Sequence, residues 1–569
     1  MVQKQSISKG FTALSIAGIL NKVMAVIYVP FLTFFLGNYG NGIYNSGYTI
    51  YTMIFVVTNA GVPIAISKLV SEQIASSEYR LSFRTFKISG VLLISMGLIS
   101  SIVMAVFARQ FSEFIRFPEA YLTILALSPT MLFTSISCTF RGYFQGRSNM
   151  IPTSISQIIE GAVNCVLTVV FAGLLLGYGK SWAISHGIEG AKQIKHKSLE
   201  FAAAGGTIGT SVGALFSAVY LIYVYNKNRV SIHKELKQSS TTGRIYSSGR
   251  ILRKIFKYAV PITLGAVAIY SANIIDLRFV KERLVYSGFS KDAATALYGV
   301  LSTQYLKLIY IPVSISTALA TTIIPAISSI AAKRDKDLLG KTINKSMKYL
   351  LMFSIPSAVG LSVLAKPTVH ILFPNAPDGW DLLMMGSWIL VLISIVTIQT
   401  AILQAVGKPY IPTIHLCIGF IFKIFLNYNL VAIKAINIKG ALIGTAVCYS
   451  FACYTNYRSI KKYTGVRIKY KKVFNRPLSV SIIMGAVIYP LYKLLDIIAK
   501  LAIKPIFLRS VLCGGTAIIS GCFVYFSFMV VAGGINGEDI KRFPMGGKVL
   551  RIVTRVPFFK KRLSVRKSF

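Results

Sequence analysis

Charged side chains are sparse within the apolar stretches of this 569-residue chain, and those that do occur there are its candidate chemistry. A charge held in a hydrocarbon core is costly and marks an ion or substrate path by default. Thr303, Lys307, Tyr310, Ser314, Thr317 and Thr321 recur at helical spacing and form one stripe. Asn45, Thr49, Thr52 and Asn59 repeat the pattern upstream, interrupted by Val56. Thr12, Ser15 and Lys22 form a shorter polar face, as do Thr263, Tyr270, Asn273 and Asp276, with Arg278, Lys281 and Arg283 following toward the outer end. A cavity lined by these faces holds more cations than carboxylates. It suits an anionic headgroup such as a phosphate or pyrophosphate, with lysine as a point charge and arginine as a bidentate clamp. The candidate headgroup residues are Lys22, Lys307, Arg278, Arg283, Asn45, Asn59 and Asn273. The competing reading is that Ser and Thr stripes only join helices. Joining helices does not require a lysine.

Two carboxylates share this setting, each with two readings. Glu160 lies on one face with Thr153, Gln157 and Asn164 and serves either as a Na+ or H+ coupling site or as the partner of Lys423. Asp276 either binds a coupling ion or pairs with Arg278. No phosphate-binding loop, nucleophile elbow or H-E-x-x-H occurs, so the sequence predicts neither enzyme nor cofactor chemistry. The seven cysteines include no C-x-x-C and the five histidines share no ligand spacing, so no metal site is expected. His415 reads as a hydrogen-bonded packing residue.

The elements that must carry these groups are membrane helices. Mean hydropathy is +0.63 and 54% of the residues are apolar, which excludes an ordinary soluble domain. About fourteen apolar runs, from 11–36 to 507–533, are each long enough to cross a core of roughly 30 Å. The first run contains Asn21 and Lys22 and reads as a permanent helix, not a signal peptide. Lys and Arg number nine in 226–257, six in 331–348, eight in 458–476 and ten in 534–569. Gaps on the other side carry none in 37–44, two in 109–119 and one in 366–380. This asymmetry places both termini in the cytoplasm. The net charge of +44 therefore points to anionic membrane lipids and not to nucleic acid.

The runs fall into two similar sets. Gly-Ile-Tyr-Asn at 42–45 matches Ala-Leu-Tyr-Gly at 296–299. Ile151-Pro152-Thr153 matches Ile411-Pro412-Thr413, and Ile208-Gly209-Thr210 matches Ile443-Gly444-Thr445. The order predicts an all-α polytopic membrane protein with parallel six-helix lobes at 1–225 and 258–458. A basic cytoplasmic linker at 226–257 joins them, two extra helices occupy 459–533, and a basic tail follows at 534–569. Lys180–Glu200 reads as an outer-loop insertion in the first lobe.

Particular motifs add a resemblance. They are Arg141-Gly142-Tyr143-Phe144-Gln145-Gly146-Arg147-Ser148-Asn149-Met150-Ile151-Pro152-Thr153, Asn273-Ile274-Ile275-Asp276, Leu372-Phe373-Pro374-Asn375 and Gln404-Ala405-Val406-Gly407-Lys408-Pro409. With them the chain resembles the polysaccharide-transport branch of the multidrug/oligosaccharidyl-lipid/polysaccharide exporter superfamily. Within that branch it is similar to the stage V sporulation protein B group and the MurJ-type lipid II flippases. The resemblance implies two lobes forming a V-shaped central cavity and outward flipping of an undecaprenyl-pyrophosphate-linked glycan, in a bacterial cytoplasmic membrane. It also implies a pyrophosphate contact at Lys22, whereas Tyr28 stands where a second cation is expected. The extra helices would admit the lipid tail.

The expected activity is therefore flipping of a lipid-linked cell-wall precursor, lipid II or a related glycan, with spore cortex as one destination. A cation-coupled drug exporter on the same fold and a non-transporting scaffold for wall synthesis are the alternatives. A drug exporter would favour a carboxylate-rich cavity. A scaffold would depend on the basic tail and not on cavity charges.

Overall fold

The computed structural model describes residues 7–237, 247–333, 335–503 and 505–535, and every regular element among them is helical. A chain this apolar must satisfy its backbone internally once in lipid, and continuous helices do so. Eleven of the described helices are long and apolar enough to cross a membrane, or twelve if a pair bent by 48° counts as one span. The chain is thus a multi-pass membrane protein. The lower count than about fourteen has identifiable causes. Helix α1 (Ile7–Asn59) runs through two expected spans and the loop assigned to 37–44, broken only at Gly37, whose φ is +57°. The run at 440–457 lies in a helix, Lys439–Thr464, that ends in a basic turn at Lys461 and Lys462.

The chain divides into two compact units that do not follow the sequence repeats, one comprising Met1–Thr303 with Leu416–Thr445 and the other Gln304–His415 with Ala446–Phe569. In the first unit α1 is followed by α2 (Val62–Ala75), α3 (Tyr79–Val106), α4 (Ala108–Phe114) and α5 (Tyr121–Gly146). Then come α6 (Ile151–Ser185), α7 (Ala191–Lys237), α8 (Ser248–Tyr286) and α9 (Lys291–Gly299). The expected insertion at 180–200 is mostly helix, because α6 and α7 extend into it from either side. Helices also extend into the expected linker, whose residues 238–246 lie outside the described segments, as does 536–569 of the basic tail.

Small residues set the closest packing in this unit. A Cβ at Gly205 would meet the Phe171 carbonyl oxygen at 2.4 Å, one at Gly209 the Thr168 nitrogen at 2.4 Å, and one at Gly213 the Glu160 carbonyl oxygen at 2.7 Å. This glycine-every-fourth stripe lets α7 lie directly on the α6 backbone. Gly444, the repeat partner of Gly209, instead makes room for a side chain: a Cβ there would stand 2.3 Å from Asn427 Oδ1.

In the second unit a π-helical turn, Val300–Leu306, runs in from the first unit and leads into α10 (Lys307–Ala332). It is followed by α11 (Lys336–Val363), α12 (Ala365–Leu372), α13 (Trp380–Gly386) and α14 (Ile389–Ala405). Helices α15 (Tyr410–Leu430) and α16 (Lys439–Thr464) contribute to both units, and α17 (Tyr470–Ala502) and α18 (Ile506–Val531) complete the second. Asp335 caps α11, its carboxylate accepting from the Leu338 N–H at 2.9 Å. Val359, Leu364, Met484, Ile488 and Ala517 pack α11, α12, α17 and α18 into one apolar cluster.

Candidate functional site

The polar stripe predicted from Thr303 to Thr321 is divided by the π-helical turn, which takes an extra residue per turn and rotates the helix beyond it. Thr303 is fully buried and accepts from Asn45 Nδ2 at 2.6 Å. Gln304, also fully buried, ties the turn down by donating to the Ala376 carbonyl at 2.6 Å and accepting from the Gly379 N–H at 2.7 Å. Lys307 is half-buried but its Nζ lies beneath the surface, and the accessible face runs through half-buried Tyr310 and Ser314 to exposed Thr317. The side chains of Thr321 and of Lys22, the other lysine candidate, lie outside the described residues.

Most of the remaining candidates already have partners within the chain. Asn59 is 2% exposed, donates to Thr58 Oγ1 at 2.8 Å and accepts from Ser135 Oγ at 3.0 Å. Arg278 pairs with Glu282 one turn along α8, not with Asp276. The Arg283 guanidinium lies between the rings of Tyr428 and Tyr286, 3.8 and 4.2 Å from their centroids, and donates to the Tyr428 carbonyl at 2.9 Å. Asn273 is half-buried on the same helix.

The carboxylates correct both expected pairings. Asp276 is 5% exposed and accepts from Lys423 Nζ at 2.7 Å and from Asn427 Nδ2 at 2.7 Å. Glu160 bonds not to Lys423 but to Arg141, at 2.6 Å. Helix α5 continues to Gly146, past the apolar run that ends near residue 140, so Arg141 is a helical cation that hydropathy alone left in a loop. Its Nε also donates to Ser156 Oγ at 3.0 Å, and a second nitrogen to Ser217 Oγ at 2.9 Å. His415 is tied to Asn456 Oδ1 at 2.7 Å, as a packing residue should be.

Two cavities stand out. One, of about 340 Å³, is polar and lies within the first unit. Tyr28, Tyr48, Tyr51, Gln157 and Asn164 line it alongside the Arg141–Glu160 pair. Tyr28, which stands where a cation was expected, is thus one of three phenols on this wall. The other, of about 610 Å³, lies within the second unit and is almost wholly apolar, with walls from α11, α12, α17 and α18 that include Met352, Leu361, Ile488 and Tyr525. The extra C-terminal helices therefore do enclose a groove.

Residues 7–331, more than half of the chain, match the family model described as polysaccharide biosynthesis protein. The chain belongs to the polysaccharide biosynthesis protein family. Among its relatives, the lipid II flippase MurJ of Bacillus subtilis (strain 168) is 26% identical over 494 residues, which is 84% of this chain and 87% of the relative. Stage V sporulation protein B of the same strain is 24% identical over 553 residues, covering 96% and 99%. Among solved structures, lipid II flippase MurJ in an inward closed conformation superposes with a TM-score of 0.58 at 15% identity, covering 91% of this chain and 98% of that one. An inward-facing multidrug-resistance MATE transporter of the MOP superfamily also gives 0.58, at 13% identity, covering 78% and 98%. This member of the polysaccharide biosynthesis protein family thus has the MurJ/MATE fold.

Proposed function

We propose that the chain flips a lipid-linked cell-wall glycan precursor, carried on a polyprenyl pyrophosphate, from the inner to the outer leaflet of a bacterial cytoplasmic membrane. The observation that carries this reading is the apolar cavity of about 610 Å³ walled by α17 and α18. A polyprenyl tail needs an apolar berth while its headgroup crosses. The MATE match covers 78% of this chain and the MurJ match 91%, consistent with a chain that has more helix than a drug exporter requires. Headgroup recognition is assigned to Lys22 and Lys307, with Asn273 in support. Arg283, Asn45 and Asn59 tie neighbouring helices through their partners, and Arg278 is paired within α8 to Glu282.

The drug-exporter alternative calls for carboxylates open to a cationic ligand. Asp276 and Glu160 are both held by internal cations, which favours the flippase. The proposal places both termini in the cytoplasm, from the distribution of Lys and Arg.

The test is lipid II translocation in proteoliposomes at an imposed potential, with wild type, Lys22→Ala and Lys307→Ala. Flipping by wild type that is lost in both variants supports the assignment. A well-folded wild type that flips nothing removes lipid II as the substrate.

A further inference from the structure

The polar cavity of about 340 Å³ in the first unit takes its walls from α1, α5, α6 and α7, and most of its polar groups are neutral. Helix α1 contributes Asn21 and the phenols of Tyr28, Tyr48 and Tyr51, and α6 contributes Gln157 and Asn164. The two charges on the wall cancel, because Arg141 is bonded to Oε2 of Glu160. Asn21 Oδ1 is buried and has no hydrogen-bond partner among the described residues. That oxygen fits only because residue 161 has no side chain, since a Cβ at Gly161 would overlap it. Asn164 Oδ1 accepts from Thr168 Oγ1 at 2.7 Å and from Thr210 Oγ1 at 3.1 Å, so its Nδ2 is the group left to donate.

A void with such a wall needs contents, since cavities that stay dry are apolar. Its volume is at the small end of ligand pockets and holds about ten waters, or one six-membered sugar ring with its substituents. A desolvated phosphate or organic cation would need an opposite charge, and the two charges present already satisfy each other. What the wall offers instead is amides and phenols, which both donate and accept. Hydroxyl groups have the same double capacity. The Tyr48 and Tyr51 rings, 5.5 Å apart at 64°, add aromatic faces of negative potential that attract the C–H edges of a sugar ring. Asn21 also adjoins Lys22 on α1, so a ring held here lies beside the residue assigned to the pyrophosphate.

We propose that this cavity is a binding site for an uncharged pyranose ring. Asn21 Oδ1 and the free Oε1 of Glu160 accept from ring hydroxyls, Asn164 Nδ2 donates, and Gln157 does both. The identity of the ring as part of the carried glycan rests on the flippase reading. Binding of the ring does not, and it is read without transport.

The experiment titrates N-acetylglucosamine against the full chain in a zwitterionic detergent that has no sugar headgroup, with saturation-transfer NMR as the readout. Wild type should give a saturable signal. Gln157→Met and Asn21→Leu, on different helices, should each keep the wild-type unfolding midpoint and weaken the sugar at least about fivefold, the loss of one hydrogen bond. Inorganic pyrophosphate and tetraphenylphosphonium should not displace it. No saturable signal from folded wild type overturns the proposal, even if the chain flips lipid II. A saturable signal that both variants weaken supports it, even if the chain flips nothing. Unchanged binding in both variants overturns it, as does displacement by either ion, which would make the cavity a charged-ligand site.

Discussion

Arg141 on α5 and Glu160 on α6 form an ion pair at 2.6 Å on the wall of the polar cavity. The same guanidinium reaches Ser156 on α6 and Ser217 on α7, so one side chain ties three helices at a single level of the first unit. Glu160 is therefore a fixed hydrogen-bond acceptor, and the cavity wall is close to neutral at this point.

Arg141→Ala should destabilise the chain by about 2–3 kcal/mol, below the full cost of breaking a buried pair because Glu160 keeps some access to water. Arg141→Lys should recover only part of this, since an ammonium cannot span Ser156, Ser217 and Glu160 in one plane. Chemical unfolding of the purified variants measures both. Equal stability of Arg141→Ala and wild type would show that the three-helix tie contributes nothing.

Close backbone contact between α1 and α9 rests on two glycines. A Cβ at Gly299 would stand 2.0 Å from the Asn38 carbonyl oxygen, and one at Gly42 would stand 2.2 Å from the Thr295 carbonyl oxygen. Both obstacles are main-chain atoms, so neither can swing aside. Gly299→Ala should cost about 1–3 kcal/mol, the usual range for overpacking, and Gly299→Val more. Gly360→Ala, on a helix with open space at that position, is the control and should be nearly silent. Thermal unfolding of the three variants decides the matter.

The sequence made the fold class readable because hydropathy and charge asymmetry are properties of long segments that no single contact can reverse. It was less clear where helices cross the membrane surface. Arg141 and the residues of 37–44 lie inside helices that polar residues alone would have ended. Pairing was least legible. Asp276 has Arg278 two positions away, yet on a helix residues two apart point in different directions, and its cation comes from Lys423, 147 positions later. The π-helical turn before Lys307 had no signature in the spacing, and it displaced Thr303 from the accessible stripe into a buried bond with Asn45.

Filling the apolar groove should separate tail binding from folding. Ser357 is half-buried and Cys522 exposed, and both line the cavity, so a tryptophan at either can project into it. Ser357→Trp and Cys522→Trp should keep the wild-type unfolding midpoint and weaken binding of a polyprenyl-linked substrate at least about tenfold, near 1.4 kcal/mol. Binding of the same headgroup on a short, water-soluble chain should be unchanged. If the long-chain substrate binds both variants as it binds wild type, the groove is not its berth.

The electrical driving force gives the most discriminating measurement on transport. Each unit charge that moves across 100 mV contributes about 2.3 kcal/mol. A headgroup carrying roughly two negative charges and leaving an inside-negative compartment gains about 4–5 kcal/mol by the same arithmetic, or more than about three orders of magnitude in its equilibrium distribution. With Asp276 paired to Lys423 and Glu160 to Arg141, neither carboxylate is open to a coupling ion, and the voltage dependence should correspond to the two headgroup charges. One cation counter-transported per cycle would raise the slope to three, and one co-transported would lower it to one. Measuring the steady-state leaflet distribution at several potassium-diffusion potentials gives this slope, and a value of one or three would show that an ion moves with the substrate.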